Sequence, residues 1–240
     1  MRDEYVRSAV VHTVALCIGC ATACGYASDI FARTTTSLIV AACGFVIAVQ
    51  GVLRFDARLW TVPPGADAAN LRRRRDSGIA LGAGAVAYAV QTASGDALHR
   101  ALTVCQVLVM AVAAVNDFAR FRLPLPTTIC GGLLAVTAAL QHALWPWNVI
   151  FALMVGGALV LAYRRLACAD LGGGDELALC WVALADPFYG PAAICAGQAA
   201  LALVVRLSDP RRVVRRVPIG GAWLMAAAWL LPLLSTWGAM

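Results

Sequence analysis

Two aspartates stand where an apolar chain has least use for charge. Leu171-Gly172-Gly173-Gly174-Asp175-Glu176-Leu177 sets a carboxylate directly behind three glycines, at the mouth of an apolar segment that runs through Trp181 to Ala185. Asp117 closes an earlier apolar segment. An acid at membrane depth is costly and marks a functional site by default. Glycines let the backbone turn sharply and let another chain approach closely. Two carboxylates about 3 Å apart share a proton, the arrangement of aspartic proteases. The ionised partner activates water as general base, and the protonated one polarises a scissile carbonyl. The titration belongs to the pair, so the acid and base roles are not divided between the two residues. The expected chemistry is peptide hydrolysis at a membrane surface. No Ser/His/Asp set competes with it: His12 lies in the first apolar run, and His99 and His142 fall near the outer face.

Composition says what must position these acids. The chain has 240 residues, 61% hydrophobic and 13% charged. A soluble domain of that length cannot hide so much apolar surface, which predicts an all-α, polytopic transmembrane helix bundle. All nineteen basic residues are Arg, and they flank apolar runs without interleaved aromatics. The net charge of +6 is therefore read as lipid orientation, and no nucleic-acid partner is expected. The nine cysteines sit mostly inside apolar runs, as small hydrophobes. Cys17-Ile18-Gly19-Cys20 lacks the second pair or the histidines a zinc site needs. Neither a metal nor another cofactor is expected.

Nine apolar runs follow in order: Ala9 to Ala27, Ser37 to Leu53, Gly78 to Thr92, Ala101 to Asn116, Thr127 to Leu144, Val149 to Tyr163, the short run to Ala185, Ala192 to Leu207, and Ile219 to about Trp237. The first has no clear cleavage site and reads as a retained span. Eight or nine spans result, the seventh being short enough for a half-span. Arg54 to Asp76 reads as a polar loop broken at Pro63-Pro64-Gly65 and ending on Arg72-Arg73-Arg74-Arg75. Pro124 and Pro126 stop the chain before the fifth run, and Trp145-Pro146-Trp147 reads as an interfacial turn. With the N-terminus and Arg72–Arg75 cytoplasmic, seventeen of the nineteen Arg face the cytoplasm, leaving Arg33 and Arg100 outside. The fifth and sixth runs then make a hairpin that returns the chain, so that Asp117 and Asp175 reach the same membrane face.

The segment from Val107 to Leu234 resembles the type IV prepilin peptidases, intramembrane aspartic proteases of the GxGD type. Three matches carry the likeness: Asp117 followed by Arg122, Leu123 and Pro124; Gly172-Gly173-Gly174-Asp175, near the GGGD form of the tight-adherence pilus branch; and Arg216-Val217-Pro218-Ile219-Gly220 opening the last run. The resemblance implies a membrane aspartic endopeptidase that removes the basic leader of prepilin or pseudopilin substrates at the cytoplasmic face of a bacterial inner membrane. Asp117 and Asp175 are the implied catalytic pair, and Gly172, Gly173, Gly174, Arg122, Pro124, Pro218 and Gly220 the supporting motif. On this reading residues 101–240 are the catalytic membrane domain, and residues 1–100 an N-terminal region of about three spans. The Arg54–Asp76 segment carries no Cys and so resembles members without a zinc domain. Methylation of the product is not expected.

The chain departs from the family at several positions. Glu176 and Leu177 stand where an apolar residue and Lys are usual, Leu125 where Asn is usual, Ala119 where Arg is frequent, and Gly221 where Pro is common. Two other readings stay open: a catalytically weak or inactive relative serving as a membrane component of pilus or secretion assembly, and a small transporter whose acids carry protons. Plainer roles stand beside the catalytic one. Asp117 can be a helix-end acid paired with Arg120 or Arg122, and Asp175 a helix N-cap. Asp170 reads as a loop acid, Asp186 as a turn acid, Arg211–Arg216 as contacts to anionic lipid, and the seven Trp, mostly near span ends, as interfacial anchors.

Overall fold

The computed structural model describes residues 35–59, 68–93, 95–140, 145–166, 172–186, 190–208 and 218–237. All regular structure among them is helical: α1 (Thr35–Leu59), α2 (Ala68–Thr92), α3 (Ala97–Arg120), α4 (Leu125–Ala139), α5 (Trp145–Leu166), α6 (Gly173–Ala185), α7 (Gly190–Ser208) and α8 (Ile219–Trp237). The first apolar run, with Cys17, Cys20 and His12, lies outside the described residues, as do His142, Asp170 and Arg211–Arg216.

α3 is the axis of the bundle. Every residue from Leu102 to Asp117 is buried, as expected of a helix apolar on all faces and surrounded by others. It packs against α1, α2, α4 and α8, while α6 packs against α4, α5, α7 and α8. One buried cluster joins Phe45 of α1 and Val86 of α2 to Leu108 of α3, Trp181 of α6 and Trp223 of α8. The core therefore crosses position 100 without interruption. Small residues permit the close crossings. The Cβ that Gly156 lacks would lie 3.3 Å from Cys180 Cα, and that of Gly197 would lie 2.6 Å from the Ala222 carbonyl oxygen. By length and hydropathy α3 is the one described helix able to cross a bilayer. Shorter apolar stretches are Leu38–Arg54, Leu125–Ala138, Val149–Ala162 and Ile219–Pro232.

Several boundaries differ from the sequence expectation. The segment Arg54–Asp76 is not one loop: α1 runs on to Leu59 and α2 begins at Ala68, so Arg72–Arg75 are helical. Arg is a good helix former, and its long side chain reaches water from a helix as well as from a loop. Trp145-Pro146-Trp147 opens α5 instead of forming a turn, because Pro is tolerated in the first helical turn, where its missing N–H has no partner to lose. α4 ends at Ala139, short of Leu144. α6 has 13 residues, or about 20 Å at 1.5 Å per residue, against about 30 Å of hydrocarbon. The tryptophans divide: Trp147 is exposed, but Trp181 and Trp223 are fully buried and anchor the core.

Trp181 lies across α4 at Gly131, whose absent Cβ would fall 2.0 Å from the indole. Gly131→Ala is expected to cost about 1–3 kcal/mol by overpacking, read as a lower melting temperature. Gly132→Ala, with nothing within 4 Å of its Cβ position, is expected to leave stability unchanged or to raise it slightly.

Candidate active site

Three helix ends and one strap of chain meet at one end of the bundle. The strap follows α3. Phe121 takes a left-handed conformation at φ 56° as the helix C-cap, and its N–H donates to the Asp117 carbonyl at 2.6 Å. Left-handed backbone is uncommon for a bulky residue, and here the Arg74 guanidinium sits over the Phe121 ring at 5.6 Å. Arg122 and Leu123 then run without helix into Pro124, the N-cap of α4, whose carbonyl accepts from the Thr128 N–H and hydroxyl, each at 3.0 Å. The Asn116 amide donates to the Arg122 carbonyl at 3.2 Å and so pins the strap to α3.

Asp117 occupies the last turn of α3 and is 4% exposed. Its Oδ2 accepts the Gly221 N–H at 2.8 Å. The Arg120 guanidinium donates instead to the Leu53 carbonyl at the far end of α1. Burial and the α8 amide thus replace the solvated helix-end role as the description of Asp117. Asp175 stands at the third position of α6, not at the N-cap, which is Gly172. Its Oδ2 accepts the Gly172 N–H at 3.3 Å, the return half of a capping box. It also interacts with the Gly220 amide.

Gly220 and Gly221 therefore face the two acids in turn. A Cβ on Gly220 would lie 2.5 Å from Asp175 Oδ1, and one on Gly221 would lie 3.0 Å from Asp117 Oδ2. Both amides belong to the first turn of α8, which Pro218 precedes. First-turn N–H groups have no partner within their own helix, and that helix end favours negative charge. The two carboxylates converge on adjacent peptide units of one helix N-terminus, close enough to interact electrostatically.

Of the other residues singled out from sequence, Gly174 backs onto Leu123, its Cβ position 3.1 Å from Leu123 Cβ, while Gly173 has open space there. Arg122 is exposed and contributes its carbonyl to Asn116. Asp186 caps the end of α6, and its carbonyl accepts the Gly190 N–H at 2.7 Å. Glu176 does not join the dyad; it pairs with Arg164 from the last turn of α5, Nε to Oε1 at 2.8 Å. The pair ties α5 to α6 beside the dyad. Arg164→Glu is expected to destabilise slightly, and Arg164→Glu with Glu176→Arg to restore the loss. A cycle of melting measurements should return about 0.2–1 kcal/mol, the usual worth of an exposed pair.

Sequence reasoning missed Gly221 and Asn116 as site residues. Gly221 was visible only as a glycine standing where Pro is common, and that glycine is what supplies the N–H to Asp117. Asn116 left a weaker signal, an amide at the end of an apolar run. Among the described residues no group of three or more His, Cys, Asp or Glu side chains is placed to hold a metal ion. Comparison of the chain with protein-family models, with curated proteins and with solved structures yields no match.

Proposed function

We propose that the protein is a polytopic membrane aspartic endopeptidase of prepilin-peptidase type, cutting a basic leader from an apolar helix at the cytoplasmic face. The observation that carries this reading is the convergence of Asp117 and Asp175 on consecutive amides of the α8 N-terminus. Water held between the carboxylates gives a proton to the ionised one and attacks the scissile carbonyl carbon. The protonated carboxyl hydrogen-bonds the carbonyl oxygen as charge develops there. Collapse of the tetrahedral adduct passes a proton to the leaving amine and returns the pair to its singly protonated state.

Two further features favour a membrane setting. Large apolar side chains point outward from α1, α4 and α5, among them Ile47 at 62%, Leu133 at 63%, Met154 at 69% and Leu161 at 63% exposure. Large apolar side chains exposed on several helices are the kind of surface that meets lipid or protein. Arg74 of α2, Arg120 of α3 and Arg164 of α5 lie at the dyad end, where Arg74 meets Phe121, Arg120 reaches Leu53 and Arg164 pairs with Glu176. A basic rim at one end is the mark of a cytoplasmic face.

The test is a synthetic peptide with a basic leader followed by an apolar helix, incubated with the purified protein in lipid vesicles. One cut at the boundary, read by mass spectrometry, is expected. An intact peptide, together with intact pilin-like proteins from the same genome, would reject the peptidase reading in favour of an assembly component.

A further inference from the structure

The strap beside the dyad carries an unused main-chain pair. Phe121 N–H is held by Asp117, the Arg122 carbonyl by Asn116 and the Pro124 carbonyl by Thr128. Leu123, between these pinned neighbours, has no hydrogen-bond partner for its N–H or its C=O among the described residues. It precedes Pro124, which disfavours helical backbone and holds it extended. Leu123 as a residue is half-buried, and a main-chain hydrogen bond left unmade away from water is costly.

Its position says what the partner is. The Leu123 side chain sits between Gly220 and Gly174, the residues that flank Asp175: their Cβ positions would fall 2.6 Å from Leu123 Cδ1 and 3.1 Å from Leu123 Cβ. The Leu123 carbonyl oxygen is 3.6 Å from the Gly174 Cβ position, so the missing side chain of Gly174 leaves room beside that oxygen. A peptide must be unwound from its helix before a dyad can reach the scissile carbonyl. Once unwound, its own N–H and C=O groups need partners in a poorly hydrated place. An extended segment with a free N–H and C=O pairs with an extended peptide by strand addition.

We propose that the Leu123 main chain is a substrate subsite, which binds the backbone of the unwound peptide next to its scissile bond. The proposal rests on the peptidase reading of the dyad. It assigns Leu123 a role through its peptide groups, whatever its side chain, and the ligand is any extended polypeptide backbone.

The experiment uses the full chain in lipid vesicles and a leader peptide whose scissile bond is replaced by a hydroxyethylene isostere. In protein labelled with 15N-leucine, the Leu123 amide is assigned by its loss in Leu123→Met. Binding of the isostere is expected to slow its hydrogen exchange by about tenfold or more, as a new main-chain bond does. In cleavage of the ordinary peptide, Leu123→Pro removes the N–H and is expected to raise KM by about tenfold, the size of one hydrogen bond. Leu123→Met keeps the N–H while changing the side chain, and the KM of the Pro variant is read against it. Bound isostere with an unchanged Leu123 amide overturns the subsite, as does a chain that cleaves with equal KM in the Pro and Met variants, or one that binds no peptide at all. A wild-type chain that binds and protects Leu123 yet leaves the ordinary peptide intact would retain the subsite and reject the peptidase reading.

Discussion

Asp117→Asn and Asp175→Asn should each lower kcat/KM on a leader peptide by about a thousandfold, the middle of the usual range for general acid–base groups. Both replacements keep the shape of the site. An asparagine oxygen at position 117 still accepts the Gly221 N–H, and one at 175 still accepts the Gly172 N–H. What is lost is the proton that the pair passes between water, substrate and leaving amine. Melting temperature and isostere binding should therefore hold while turnover collapses. The double variant should be little worse than either single one, because groups that act as a unit are not additive. A single Asn variant that turns over at the wild-type rate would end the dyad proposal.

The second large effect is expected at Gly220, where a methyl group would enter the site while both carboxylates are kept. The Ala Cβ would lie 2.5 Å from Asp175 Oδ1 and 2.6 Å from Leu123 Cδ1, closer than carbon approaches either atom. The carboxylate, the leucine or the α8 helix must then move. A displacement of about 1 Å costs on the order of a hundredfold in rate, so Gly220→Ala should lose most of its kcat/KM with both aspartates present. The added Cβ sits in a helix, where Ala is otherwise favoured, which separates loss of activity from loss of helix. Gly132→Ala, on the open face of α4, is the control. Full activity in Gly220→Ala would mean that the α8 N-terminus does not set the distance between the acids.

Particular residues show how much of this was legible. The two acids stood out by their cost: Asp117 and Asp175 are carboxylates at the ends of apolar runs, where charge is rare. Prolines and glycines gave the helix breaks on either side of them. Partners were not legible, because the hydrogen bond between Gly221 and Asp117 joins residues 104 positions apart and leaves no local pattern. The same holds for Glu176, whose partner Arg164 lies on another helix. Trp181 and Trp223 were misread as interfacial because their apolar surface is compatible with either place, and only the neighbouring helices decide.

By itself the sequence determined that the chain is helical and apolar, that its charge is concentrated in Arg at the ends of its runs, and that two acids stand apart from that pattern. These are properties of composition and spacing, which local physics reads directly. Only the tertiary structure decided that α8 turns its N-terminus between the acids, that α3 is the buried axis, and that the Leu123 backbone has no partner among the described residues beside Asp175. Each of these depends on which helix ends meet, and that is settled by side chains far apart in the chain filling one shared core.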